Sequence, residues 1–151
     1  MRIESDRRYA MAMQPAELWE RISVIADYPL WWPWLRDFHG RALANGDVWG
    51  CTVQPPLPYT VRFRLSIDDV VAGRSVSASI TGDIVGSARL EIALATDGCV
   101  VRLVSSIGPD NRLLRLVVAA ALPLARSGHN WVLDTGARQF AERARRHSLG
   151  Q

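Results

Sequence analysis

Residues 59–71, Tyr-Thr-Val-Arg-Phe-Arg-Leu-Ser-Ile-Asp-Asp-Val-Val, alternate strictly between apolar and polar side chains from Tyr59 to Asp68. Successive side chains of a strand point to opposite faces, so Tyr59, Val61, Phe63, Leu65 and Ile67 share one face and Thr60, Arg62, Arg64, Ser66 and Asp68 the other. A period of two with one dry side predicts a half-buried strand. The same split recurs downstream: Val76, Ala78 and Ile80 against Ser75, Ser77 and Ser79, then Ala88, Leu90 and Ile92 against Ser87, Arg89 and Glu91. A further strand sets Val101, Leu103 and Ser105 against Arg102. Turn signals at Asn45-Gly46, Pro55-Pro56, Ala72-Gly73, Gly82-Asp83 and Asp97-Gly98 separate these segments, which predicts an antiparallel meander. Its single dry face must be covered.

The cover is the last third of the chain, where the 3.6-residue period predicts helix from about Asp110 to Arg146. Unbroken helix over that span would be roughly 55 Å long, whereas a domain of this size is about 40 Å across. A kink or break between Pro123 and Gly128 is therefore expected, because proline removes a backbone donor and clashes with the preceding turn. On the stronger half, His129, Val132, Leu133, Gly136 and Phe140 fall on one face, with Arg138, Glu142 and Arg145 mainly opposite. Small residues on that inner face are expected to leave room beneath the helix.

Upstream of the meander, residues 5 to 13 read as a first strand, with Tyr9, Met11 and Met13 on one side. Pro15 then opens a helix to Ala26 in which Leu18, Trp19, Ile22 and Ile25 recur at helical spacing. The next stretch, DYPLWWPWLRDF over residues 27–38, crowds Tyr28, Trp31, Trp32, Trp34 and Phe38 around two prolines and is expected to form short helical turns at most. No repeat, low-complexity tract or linker interrupts the chain, which is expected to be a single domain over 1–151.

Composition narrows the chemistry. The chain has 151 residues, 48% of them hydrophobic, and a net charge of +3. All 18 basic residues are arginine, so mechanisms that need a lysine amine, Schiff-base catalysis and the P-loop, are excluded. Arg138, Arg143, Arg145 and Arg146 cluster at the end, where cations oppose the negative pole of a helix; no nucleic-acid partner is needed to explain them. Cys51 and Cys99 lack metal-site or redox spacing and read as buried free thiols, so neither a metal nor a cofactor is expected. The histidines stand far apart at 39, 129 and 147, and no nucleotide-loop, nucleophile-elbow or zinc-protease motif occurs. The N-terminus carries acids and no apolar core of a secretory signal, which predicts a cytoplasmic protein. The longest uncharged apolar run, Leu116 to Ala125, falls short of the roughly 20 residues that span a bilayer. No stable membrane insertion is expected; core burial, a homodimer contact or a transient membrane touch are the readings of that run.

The order of strand, helix, aromatic turn, meander and closing helix resembles the START-related superfamily called SRPBCC, the polyketide cyclase/dehydrase and lipid-transport proteins. Trp31-Trp32-Pro33-Trp34-Leu35, Pro56-Leu57-Pro58-Tyr59, Gly82-Asp83-Ile84-Val85-Gly86 and His129 followed by Asp134 and Gly136 carry the resemblance. It implies an α+β helix-grip fold: a curved antiparallel sheet wrapped around a long C-terminal helix, with two short helices after the first strand. It further implies a ligand held between the sheet's concave face and that helix, under His129. Trp31, Trp32, Tyr59, Phe63, His129, Leu133 and Phe140 are the expected ligand contacts. No complete catalytic set maps onto this sequence, so the resemblance implies a fold and a cavity rather than a reaction.

Each candidate has a structural alternative. His129, set among apolar neighbours, is either a hydrogen-bonded core histidine or a proton donor and acceptor, and it is the best catalytic candidate. Tyr59 is a packed strand end or a donor to a ligand oxygen. Asp83, between two glycines, reads first as a partner for local backbone donors. An indole buries about 150–250 Å², too much to leave in water, so the tryptophans are core or a gate over an apolar ligand; by helical phase Trp131 points away from His129. The leading function is binding of a lipid, polyketide or aromatic metabolite by a monomer or homodimer. The alternatives are a polyketide cyclase or dehydratase in which His129 shuttles a proton, and a protein-interaction module using the aromatic turn and the Leu116 to Ala125 surface.

Overall fold

The computed structural model describes residues 2–54, 60–110 and 122–148. Strand β1 (Ile3–Met11) leads into α1 (Pro15–Ser23), a 3-10 turn (Ile25–Asp27) and α2 (Tyr28–Trp31). Strands β2 (Leu35–His39), β3 (Val48–Val53), β4 (Val61–Val71), β5 (Ser75–Gly82), β6 (Ile84–Ala95) and β7 (Gly98–Pro109) follow, and α3 (Leu122–Ser148) closes the fold. The strands form one curved antiparallel sheet in the order β1-β7-β6-β5-β4-β3-β2. From β2 onward each strand pairs with its successor, the meander expected from the turn signals, and β1 joins the far edge by pairing with β7.

The alternation read from β4 holds: Ile67 is buried, Phe63 and Leu65 are half-buried, and Arg62, Arg64 and Asp68 are exposed. On the opposite, wet face, ion pairs such as Arg102–Asp6 (2.6 Å) and Arg89–Glu91 (3.2 Å) lie in solvent, where such pairs stabilise little. Pro15 begins α1 where a missing N–H costs nothing, and Leu18, 2% exposed, points into the core. Buried side chains gather in separate clusters, one centred on Tyr28, Trp49 and Ile67, one on Leu18, Cys99 and Phe140, and one on Ile3, Ile80 and Ile107. Cys51 and Cys99 are buried free thiols, and burial pushes the Cys51 thiol up to about 12.

Three expectations need correction. α3 runs without a break through Pro123–Gly128. The described span Leu122–Ser148 is about 40 Å long, which fits the domain without a kink; the expected start near Asp110 lies outside the described residues. The aromatic stretch is not only helical turns: after α2 the chain enters β2, which the prolines hide from a periodicity argument. Finally, β1 starts and ends two residues earlier than expected, and α1 stops at Ser23. Residues 111–121, with most of the Leu116–Ala125 run, lie outside the described residues.

Gly86 on β6 has a φ of +154°, a backbone state that L side chains rarely adopt. A Cβ there would collide with the Ser106 carbonyl oxygen on β7. Gly86→Ala is expected to lower the unfolding free energy by about 1–3 kcal/mol in urea titrations; an unchanged midpoint and slope would contradict this account of the close approach.

Candidate functional site

Cross-strand registers lay out the inward face of the sheet as ranks of side chains. One rank runs Ile67, Ala78, Ala88, Ser105, Ser5 from β4 to β1, and its neighbour runs Val76, Leu90, Leu103, Arg7 from β5 to β1. The centre of this floor is made of small or apolar residues. Val76, Ala78, Ala88, Leu90 and Leu103 are only half-buried, whereas Ile67, Ser5 and Ser105 at the ends are buried.

Over the β7–β1 corner the first half of α3 is held by polar contacts. His129 Nε2 and Ser105 Oγ are 2.9 Å apart, and the direction of donation depends on the imidazole tautomer. Ser5 Oγ donates to Asn130 Oδ1 (3.3 Å), and the Tyr9 hydroxyl donates to Asp134 Oδ1 (2.8 Å). Arg7 Nε lies 3.8 Å from the same Asp134 oxygen. Burial, with help from the Arg7 charge, holds His129 below the usual histidine range, so its ring is neutral near pH 7. Burial first, then the bond to Asp134, pushes the Tyr9 phenol well up. Among the described residues no carboxylate is hydrogen-bonded to His129, so the Ser105–His129 pair has no acid behind it.

The second half of α3 meets the aromatic turn. Trp32 Nε1 donates to the Gly136 carbonyl (2.9 Å) and Trp34 Nε1 to Gln139 Oε1 (3.0 Å). Trp32 and Trp34 stack at 5.7 Å, Trp34 meets Trp131 edge-on at 6.0 Å, and Trp31 meets Phe140 edge-on at 4.9 Å. The space expected beneath Gly136 is therefore taken: a Cβ on this residue would stand 3.4 Å from Trp34 and 3.6 Å from Trp32.

No family model matches the sequence, and no curated protein matches it significantly. Solved structures do. A START superfamily protein from Mycobacterium smegmatis superposes with a TM-score of 0.69 at 12% identity over 96% of this chain and 97% of that one. Norcoclaurine synthase from Thalictrum flavum, solved with dopamine and hydroxybenzaldehyde, gives 0.61 at 11% identity over 94% and 88%. The di-domain ARO/CYC protein StfQ of the steffimycin biosynthetic pathway gives 0.65 at 10% identity, over 95% of this chain but 52% of that one. The chain has the START-like helix-grip fold.

Within this helix-grip frame, Phe63 is half-buried on the floor, paired with Cys51 and Gly82. Leu133 is half-buried on α3, and Phe140, 4% exposed, belongs to the Leu18–Cys99 cluster. Trp31 and Trp32 are half-buried against both larger clusters. Tyr59 lies outside the described residues. Asp83 accepts from the Arg62 backbone N–H (2.9 Å), the local role read from its turn. A depression of about 290 Å³ lies on the opposite, wet face, among Ser77, Ser79, Ser87, Arg89 and Ser106. Ser5, Arg7 and Asn130 were not anticipated at the corner. Their signal was parity: Ser5 and Arg7 share the odd positions of Tyr9 and Met11, but their polarity disguised an inward face.

A depressed histidine fixes the direction of a pH effect. The unfolded chain binds the His129 proton with an ordinary affinity near 6.5, while the folded site resists it, so stability is full above about pH 6.5 and falls as pH drops towards the folded value. Urea unfolding at pH 7.5 and 5.0 should therefore show a smaller acid loss for His129→Gln than for the wild type. Equal losses in the two proteins would remove His129 as the cause.

Proposed function

We propose that this protein, a single domain over 1–151 acting in the cytoplasm as a monomer or homodimer, binds an apolar small molecule such as a lipid, polyketide or aromatic metabolite. The guest lies between the inward face of the sheet and α3, and the protein carries or sequesters it. One observation carries the reading. Val76, Ala78, Ala88, Leu90 and Leu103 lie at the centre of a dry face and are only half-buried. Apolar surface left in water costs about 25 cal/mol per Å², and a concave apolar surface beside a few convergent polar groups is the usual form of a small-molecule site. Ser5, Ser105 and His129 supply those polar groups. Among the described residues no helix is long and apolar enough to cross a membrane.

A second reading, a cyclase- or dehydratase-type enzyme, draws on His129. A neutral imidazole 2.9 Å from a hydroxyl can take up a proton from a guest and return it. Likeness to norcoclaurine synthase and to an ARO/CYC protein fits this reading as well. For an enzyme, His129→Ala abolishes turnover of a polyketide substrate while the fold and dye binding persist; undiminished turnover removes the proton shuttle.

Binding is tested directly with N-phenyl-1-naphthylamine, a neutral dye that fluoresces in apolar sites. Wild-type protein should enhance its emission saturably. Leu90→Trp, which fills the floor, should weaken binding at least about tenfold, or 1.4 kcal/mol, with its circular dichroism and cooperative melting retained. Saturable binding of unchanged affinity in a folded Leu90→Trp protein would place the guest elsewhere.

A further inference from the structure

Arg7 occupies an odd place for a cation. It ends the rank Val76, Leu90, Leu103, so its neighbours along the floor are aliphatic. Its side chain is 39% exposed, as much as that of Arg102 on the wet face, so water solvates the guanidinium when no guest is bound. A guest covering this corner would take the guanidinium out of water, which costs free energy unless the guest itself brings a hydrogen-bonding anion. The nearest carboxylate serves it poorly. Asp134 stands 3.8 Å from Nε, beyond hydrogen-bonding distance, and the oxygen it presents already accepts from Tyr9. Among the described residues the terminal guanidinium nitrogens of Arg7 make no hydrogen bond to the protein, and their charge is felt by His129 on the facing helix.

We infer that the guest is an amphipathic carboxylic acid, its apolar tail lying over Val76, Leu90 and Leu103 and its carboxylate received by the Arg7 guanidinium at the β1–α3 corner. This rests on the binding site proposed above and names its ligand class. The match is one of chemistry and of place. A planar guanidinium offers two parallel N–H donors to the two oxygens of a carboxylate. The hydroxyls of Ser5 and Ser105 and the neutral His129 stand beside it as further polar contacts. One guanidinium balances one negative charge, which suits a carboxylate better than a phosphate dianion. Facing charges on α3 are Asp134, whose repulsion the guest must overcome, and His129, uncharged near neutral pH.

The test is displacement of N-phenyl-1-naphthylamine at pH 8 by dodecanoate and by 1-dodecanol, which share a tail and differ in the head. Wild type should bind dodecanoate at least about tenfold more tightly than dodecanol. Arg7→Gln should erase that preference with dodecanol affinity changed less than about twofold, and Arg7→Lys should retain part of it. Asp134→Asn should raise dodecanoate affinity alone. Equal binding of the two probes by wild type, or a preference that survives in Arg7→Gln, overturns the carboxylate assignment and leaves the apolar site standing. Failure of both probes and of the dye to bind wild type overturns the site and the assignment together. If Arg7→Gln does not fold, the Asp134→Asn and wild-type comparisons decide: no rise and no preference overturn the inference.

Discussion

A sheet that is dry on one side only must be roofed, and the geometry of the roof governs the rest of this molecule. Seven strands at about 4.8 Å spacing make a surface roughly 30 Å across, whereas one helix with its side chains covers about 10 Å. Curving the sheet narrows the gap. α1 and the aromatic turn add cover at one end of the floor, and the Ile3, Ile80 and Ile107 cluster packs at the other. Between them lie Ala78, Ala88 and their half-buried neighbours.

α3 is attached in two chemically different ways. Its second half is fixed by aromatic packing and by two indole N–H donors, an arrangement that buries area and specifies orientation at once. Its first half sits on the β7–β1 corner through single hydrogen bonds, Ser5 to Asn130 and Ser105 with His129. Each such bond contributes only about 0.5–1.5 kcal/mol net. Trp131 adds an edge-on contact with Trp34 to these bonds.

Much of the fold was legible because its signals are local. The alternation from Val61 to Asp68 reports the wet and dry faces directly, and the turn at Ala72-Gly73 and the other described glycine turns mark where strands reverse. β2 was not legible. Its burial does not alternate cleanly, Asp37 takes a positive φ, and the preceding prolines point to helical turns. The site was legible in part. His129 and Ser105 were placed on inward faces by phase and parity, but no pattern in either segment says that they meet. Arg7 shows the converse difficulty: polarity argues for solvent, parity argues for the interior, and the register with Leu103 decides. At Gly136 a small residue suggested space and instead admits two indoles, because small side chains mark close approach as readily as a cavity.

The central claim is that a guest lies on the inward floor, under α3. The most direct measurement uses protein with methyl-labelled leucine and valine, titrated with N-phenyl-1-naphthylamine and followed by intermolecular nuclear Overhauser effects. The account predicts contacts from the dye to the methyls of Val76, Leu90 and Leu103 and of Val132 and Leu133 on the facing helix. Contacts confined to the exposed methyls of Val48, Val71 and Leu94, or saturable binding with no contact to the floor, would contradict it.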